Sequence, residues 1–157
     1  MLLGIDPGLA NTGWAVTDAA SRIVAAGTIR TRPGATGPRL QQIVTELRSV
    51  IAASPVREAA LEELFMGRNA TSVIGVAQAR GAILAALAAA GVPVFEYKPA
   101  QVKIVLTGYG KADKQQLARV VAMQASGGAG MDDHATDAAA IALCHARSRR
   151  LRTLTGR

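Results

Sequence analysis

Residues 2–18, LLGIDPGLANTGWAVTD, hold two apolar runs separated by a turn. Residues 2–6 have the composition of a buried β-strand, and residues 13–18 have that of a second strand. The first strand ends on Asp6 and breaks at once into Pro7 and Gly8, which is ordinary turn chemistry. Asp6 is therefore either a turn residue or a carboxylate set at the end of a strand for a chemical purpose. The choice depends on which other acids the fold brings to it.

The rest of the chain predicts a mixed α/β fold. Residues 22–31 predict a third strand, which completes a three-stranded antiparallel meander. Residues 58–64, EAALEEL, are rich in helix formers, but the segment is short and lies between two breaks, so we predict a central strand. The other predictions are helices over 38–53, 69–90, 99–106, 113–125 and 132–147, and a strand over 92–97. Strands that alternate with helices after a meander predict one five-stranded mixed sheet, with two parallel strands, flanked by helices.

Composition predicts one domain with a nucleic-acid partner. The 157 residues are half hydrophobic, which suits one domain over residues 1–147 followed by a basic tail over 148–157. The net charge of +7 favours polyanionic partners. Cys144 is the only cysteine, so no disulfide within the chain is expected. We found no signal peptide and no apolar run of membrane-spanning length, and we therefore expect a cytoplasmic protein without a membrane partner.

Four side chains could form a metal site. Glu62 is a second acid in an apolar strand, where it needs a salt-bridge partner or a metal ion. His134 and Asp137 are three residues apart and share one face of the last helix, whereas Asp132 and Asp133 suit the capping of its start. Carboxylates with one imidazole suit Mg²⁺ or Mn²⁺, and the absence of clustered Cys and His argues against zinc. Together with Asp6, these residues could hold two ions, an arrangement used for hydrolysis at phosphorus.

Four segments carry a resemblance to a known family. They are residues 4–16 (GIDPGLANTGWAV), 60–81 (ALEELFMGRNATSVIGVAQARG), 94–116 (VFEYKPAQVKIVLTGYGKADKQQ) and 133–146 (DHATDAAAIALCHA). With these motifs in this order, the chain resembles the RuvC family of Holliday-junction resolvases over nearly its whole length. The resemblance implies a ribonuclease-H-like fold and a homodimer that cuts four-way DNA junctions by symmetric paired nicks with divalent metal. It also implies a role in homologous recombination and DNA repair, beside the RuvA–RuvB branch-migration complex.

The resemblance assigns the metal ligands by position as Asp6, Glu62, His134 and Asp137. Many relatives carry Asp where this chain has His134. Asp133 is the neighbouring acid, but a shift of one residue on a helix turns a side chain by about 100°, so we keep His134. Its imidazole could instead act as a general base or as an acid for the leaving group.

Further site residues also follow from the resemblance. Lys103 and Lys114 are implied to lie near the cleaved phosphate and to stabilise transition-state charge, although alone they would be solvated helix residues. Phe65 matches an aromatic residue that stacks on a base, and without the resemblance it would be assigned to the core. The helix over 69–90 is implied to form the dimer interface, and it could equally be a plain core helix. The remaining implied DNA contacts are Arg68, Asn69, Tyr109 and Lys111.

Three alternatives remain open at this point. The turn GIDPGLANTG also resembles the phosphate-binding turn of actin-like and sugar-kinase ATPases, although 157 residues are too few for their two halves. A non-catalytic nucleic-acid binder would explain the basic charge but not the acids in apolar strands. A nuclease of the same fold that acts on RNA is the third alternative.

Overall fold

The structure is a computed structural model that describes residues 1–63, 70–124 and 130–155, with side chains over 1–63, 73–124 and 130–151. Five strands and five helices make up these ranges. In chain order they are β1 (Leu2–Asp6), β2 (Asn11–Thr17), β3 (Ile23–Arg30), α1 (Thr36–Ala53), β4 (Glu58–Glu62), α2 (Ala70–Ala89), β5 (Val94–Tyr97), α3 (Pro99–Thr107), α4 (Lys114–Ala122) and α5 (Asp133–Thr155).

The strands form one mixed sheet in the order β3-β2-β1-β4-β5. β1, β2 and β3 pair antiparallel, β4 pairs parallel with β1, and β5 pairs parallel with β4. The predicted meander with two parallel strands is therefore confirmed, including the central strand assigned to a segment of helix formers. This is the predicted ribonuclease-H-like fold. No helix within the described ranges is both long and apolar enough to cross a membrane.

The last helix is the element that differs most from its prediction. α5 continues to Thr155 and does not end near Arg147, so residues 148–155 of the predicted tail are helical. The segment is rich in Arg and Leu, which favour helix, and it contains neither Gly nor Pro before Gly156. The other bounds differ by a few residues from those predicted, and residues 64 and 125 lie outside the described ranges.

Each face of the sheet carries its own helices because side chains alternate along a strand. Leu3, Ile5 and Leu61 pack with buried residues of α1 and α2 on one face. Ala15 and Ala60 pack with α3, α4 and α5 on the other face. Gly4, Asp6 and Glu62 alternate with the first set and so belong to the α5 face.

α5 lies unusually close to the sheet because glycines face it. A Cβ atom on Gly4 would overlap the carbonyl oxygen of Ala138 and lie 2.5 Å from the backbone nitrogen of Ala142. A Cβ atom on Gly13 would overlap the carbonyl group of His134. Such distances leave no room for a side chain, and the absence of one lets the helix backbone rest directly on β1 and β2. The start of α5 is thereby fixed beside the end of β1.

Candidate active site

Asp6 and Glu62 stand at the carboxyl ends of neighbouring parallel strands. Ile5 pairs with Leu61 in the β1·β4 register, and each acid is the next residue along its strand. Both acids belong to the face covered by α5, so the sheet alone sets two carboxylates side by side. The side chain of Asp6 is 25% exposed.

The first turns of α5 bring two further groups to these carboxylates. The Nδ1 atom of His134 lies 3.0 Å from Oδ2 of Asp6. Asp137 is one turn further along the same helix and is also close enough to act electrostatically on Asp6. Asp132 caps the helix as predicted, since its Oδ1 accepts a hydrogen bond from the backbone N–H of Ala135 at 2.9 Å. The acid pair and the helix start therefore meet at one edge of the sheet.

A cavity of about 230 Å³ joins the acids to two lysines. Its polar lining consists of Asp6, Glu62, Asp137, Lys103 and Lys114. His134 reaches this group through its contact with Asp6. Within the described ranges, no three His, Cys, Asp or Glu side chains stand as ready ligands of one ion. Three of the four predicted ligands thus line one pocket and His134 contacts one of them, but the four side chains do not converge on a single point.

A second cavity is larger, at about 870 Å³, but its lining suits the binding of a metal ion less well. It lies at the other end of β1, beside Met1, Arg57 and Arg149, and Asp18 is the one acid in its lining. That carboxylate is already engaged by the guanidinium of Arg22 at 2.8 Å. We therefore place the candidate active site in the smaller cavity.

The carboxylates of the pocket repel one another. Burial raises the pKa of Asp6 above its usual range, and the charge of Asp137 raises it further, against a hydrogen bond from His134 that lowers it. Burial likewise raises the pKa of Glu62, and the charges of Asp6 and Asp137 add to the rise. Lys103 opposes the shift at Glu62 through its positive charge. A cation placed among these groups would relieve both the repulsion and the desolvation.

Lys114 is held at the rim of the pocket by two acids of α5. Its Nζ lies 3.1 Å from Oδ2 of Asp133 and 3.5 Å from Oδ2 of Asp137. The hydrogen bond that Lys114 donates to Asp133 is the main cause that raises the pKa of Lys114. Lys114 opens α4 just after the capping residue Asp113, where the helix dipole disfavours a positive charge. The acids of α5 offset that cost.

The helix geometry separates Asp133 from His134 as the sequence predicts. The side chain of Asp133 is 82% exposed and pairs with Lys114, whereas His134 turns inward to Asp6. Tyr109 and Lys111 are exposed in the loop between α3 and α4. Tyr109 lines a separate cavity with Arg119, so the described structure does not bring it into the acid pocket. The predicted contacts Phe65, Arg68 and Asn69 lie outside the described residues.

Arg80 supports the site and was not identified from the sequence. Its Nη1 donates a hydrogen bond of 2.8 Å to the backbone carbonyl of Glu62, and its Nη2 lies 2.5 Å from Oε1 of Glu96. The side chain is only 10% exposed. The available signal was a single charged residue, the arginine, in the largely apolar segment 73–87. Arg80 thus connects α2 to the end of β4, where Glu62 leaves the sheet.

Replacing Arg80 by Met should lower the free energy of unfolding by about 1–3 kcal/mol, because the carbonyl of Glu62 loses a charged donor in a buried place. Urea unfolding followed by circular dichroism measures this change. Glu96→Gln is the matched control and should cost under about 1 kcal/mol, since Glu96 is 44% exposed and the bond to Glu62 remains. Equal losses in the two variants would contradict the role given to Arg80.

Comparison with known proteins places the chain in a family. The profile described as "Crossover junction endodeoxyribonuclease RuvC" matches residues 2–145. The chain belongs to this family. The RuvC protein of Chloroflexus aggregans is 45% identical over 149 residues, which cover 92% of this chain and 91% of that protein. The RuvC protein of a Roseiflexus species is also 45% identical, with 91% of this chain and 88% of that protein covered.

A solved structure supports the same placement. RuvC of T. thermophilus in complex with a Holliday junction substrate is 34% identical to this chain and has a TM-score of 0.88. The match covers 97% of this chain and 96% of that chain. Membership in a family of endodeoxyribonucleases argues against all three alternatives, namely an ATPase, a non-catalytic nucleic-acid binder and a nuclease that acts on RNA. It also implies dependence on a divalent metal.

Proposed function

We propose that this chain is a structure-selective endonuclease that resolves four-way DNA junctions by symmetric paired nicks, in homologous recombination and DNA repair. The observation that carries the proposal is the pocket where Asp6, Glu62 and Asp137 face Lys103 and Lys114. Carboxylate and ammonium groups therefore lie together where β1 and β4 end. The chain that forms this site belongs to the RuvC family. Family membership further supports action on chromosomal DNA in the cytoplasm.

The donor set fits divalent metal. Carboxylate oxygens with one imidazole are the ligands that Mg²⁺ and Mn²⁺ accept. Burial, with the charges of neighbouring acids added to it, raises the pKa of Asp6 and Glu62 and favours a cation between them. We assign Asp6, Glu62, His134 and Asp137 as the residues that hold it, with two ions per site. When bound, the metal supplies activation of water and stabilisation of the oxygens at phosphorus during in-line displacement.

The two lysines supply fixed positive charge toward a phosphate in the pocket. Lys114 is oriented by Asp133 and Asp137, so its ammonium group stays at the rim. Lys103 lines the same cavity from α3. Negative charge on the phosphate oxygens grows in the transition state, and ammonium groups already in place lower its energy without reorganising.

The contact with Asp6 sets the tautomer of His134. An ionised carboxylate only accepts hydrogen bonds, so Nδ1 of His134 must carry the proton that lies between them. In the neutral ring, Nε2 then presents a lone pair. This form suits a metal ligand whose other nitrogen is held by an acid, and it equally suits a base that takes a proton at Nε2.

A labelled synthetic junction tests the proposed function. The protein is incubated with a four-way junction, with and without Mg²⁺ or Mn²⁺, and each strand is resolved on a denaturing gel. We expect nicks at symmetric positions on two opposing strands, only with metal. A linear duplex of the same sequence serves as control and should stay intact. Unpaired nicks, or equal cutting of the duplex, would overturn the proposal.

Mn²⁺ should support cutting at least as well as Mg²⁺, because His134 replaces a carboxylate by a softer ligand with no negative charge. Initial rates at matched occupancy of the two metals measure the preference. His134→Asp restores an all-carboxylate set and should shift the preference toward Mg²⁺. A wild-type rate clearly higher with Mg²⁺ would refute the ligand argument.

Two paired nicks require two active sites, and we propose a homodimer through α2. Ile74 on this helix is 59% exposed, while Ile83 and Leu87 are buried in the core of the chain. A large exposed apolar residue on a helix whose other side is packed in the core suits a two-fold contact. The RuvA–RuvB branch-migration complex is the further partner proposed from family membership.

A further inference from the structure

A second basic pocket lies between the end of β3 and the start of α1. Arg30, Arg32 and Arg39 line this cavity of about 570 Å³, together with Pro33, Gly34, Ala35, Pro38 and Gln42. None of these lining residues is acidic. We call it the arginine pocket. Guanidinium groups that share one pocket repel each other unless an anion comes between them, so their gathering here points to an anionic ligand.

The arginine pocket is held in a fixed shape. Arg39 donates from Nε to Oγ1 of Thr31 at 2.9 Å, and Thr31 in turn donates to the carbonyl of Leu9 at 2.6 Å. The remaining guanidinium N–H groups of Arg39 are thereby oriented. Arg30 pairs with Asp132, the residue that caps α5. Of the three arginines, Arg30 alone thus forms an ion pair with an acid within the described residues.

Arg32 and the start of α1 add free donors to this pocket. Arg32 is exposed and forms no salt bridge in the part of the chain that the structure describes. α1 begins after Ala35 with no side-chain cap and no acid in its first turn. Its first N–H groups therefore lie uncapped beside the arginines, where they support the binding of an anion.

The arginine pocket and the active site lie toward the same end of the sheet. Asp6 pairs with Gly13, and Gly13 pairs with Thr28, so these residues form one row across three strands. Two strand spacings separate Asp6 from Thr28 by about 10 Å. Arg30 lies two residues beyond Thr28, in the direction in which β1 ends. The arginine pocket thus opens at the same edge of the sheet as the acids, on the far side of β2.

We propose that the arginine pocket binds a backbone phosphate of the junction DNA other than the one that is cleaved. The inference rests on the proposed function, because it takes the same DNA as ligand. A guanidinium fork matches phosphate oxygens through paired hydrogen bonds. The strand spacing puts the arginine pocket more than about 10 Å from the acid pocket, so the phosphate that it would bind on a DNA arm is not the one that is cleaved. This contact fixes the orientation of the arm and leaves the chemical step to the acid pocket.

The test measures junction binding at several salt concentrations in the presence of EDTA. Replacing Arg32 and Arg39 by Gln together should weaken binding roughly ten-fold, and should flatten the plot of log K against log salt by about 0.9 for each protomer bound. Arg57→Gln is the matched control, since Arg57 lines the cavity at the opposite edge of the sheet. It should leave the slope unchanged.

Further variants separate charge from folding. Arg32→Gln alone leaves the bond from Arg39 to Thr31 intact and should still flatten the slope, and the double Lys variant should restore most of it. A slope equal to that of Arg57→Gln would overturn the phosphate site while leaving the proposed function standing. Failure of the wild type to bind or cut a junction would overturn both.

Discussion

Asp6→Asn is expected to lower the rate of junction cutting by more than about 100-fold. Loss of a residue that merely supports a metal ligand costs about 10- to 100-fold, and Asp6 is assigned as a ligand itself. The substitution also removes the charge that faces Glu62 and the carboxylate that holds the ring of His134. Single-turnover cutting of the synthetic junction at saturating protein measures the effect.

Junction binding by Asp6→Asn should remain within a few-fold of wild type, because phosphate contacts elsewhere supply most of the affinity. Asp18→Asn is the matched control, since Asp18 lies at the other end of the sheet and pairs with Arg22. It should cut at the wild-type rate. Cutting by Asp6→Asn at more than a tenth of that rate would remove Asp6 from the catalytic site.

The same substitution should change how stability depends on pH. The pKa of Asp6 is raised in the folded protein by burial and by Asp137, so the folded state binds its proton more tightly than the unfolded state. The metal-free wild type should therefore lose stability as pH rises from about 4 through the raised pKa. Asp6→Asn lacks the part of this loss that Asp6 contributes, so its stability should fall less over the same pH range. Unfolding in urea with EDTA at several pH values measures it, and a parallel pH dependence in both proteins would contradict the shift.

Gly13→Ala should lower cutting by about 100-fold and destabilise the fold by about 1–3 kcal/mol. The added methyl group would overlap the carbonyl group of His134, so the first turn of α5 must move away from β2. That turn carries His134 and leads to Asp137, and both would leave their places beside Asp6. Cutting rates and urea unfolding measure the two effects.

Gly37→Ala provides the control for this substitution, since no atom of the described residues, apart from its chain neighbours and the backbone of its own helix, lies within 4 Å of the position of its Cβ. It lies in the first turn of α1, where alanine should be neutral or stabilising by up to about 1 kcal/mol. At saturating protein it should cut at the wild-type rate. If Gly13→Ala behaved like Gly37→Ala, the close packing of α5 would not position the site.

The sequence was sufficient for the fold and for the grouping of the acids because both follow from local patterns. The apolar run before Asp6 and the short segment around Glu62 identify strands, and parallel neighbours necessarily end at one edge. The spacing of His134 and Asp137 sets them on one helix face, and the rotation of one residue separates Asp133 from them. In the structure, Asp133 is indeed exposed while His134 contacts Asp6.

Features that depend on packing between distant segments could not be predicted in this way. Gly13 looks like a weak strand residue until the backbone of α5 is seen against it. The role of Arg80 as a hydrogen-bond donor to the carbonyl of Glu62 is evident only from the packing of α2 beside β4. Arg30 and Arg39 line one pocket because the turn between β3 and α1 brings them together. No periodic pattern in the sequence predicts the course of that turn. The end of α5 was misjudged because a run of arginines was interpreted as a tail, although Arg is a good helix former.

The most direct test of the central claim is a crystal structure of the wild-type protein with Mn²⁺, in which anomalous scattering locates the ions. The account predicts two anomalous peaks in the pocket, within coordinating distance of Asp6, Glu62, His134 and Asp137. The absence of peaks there at saturating Mn²⁺, or peaks held by other residues, would contradict it.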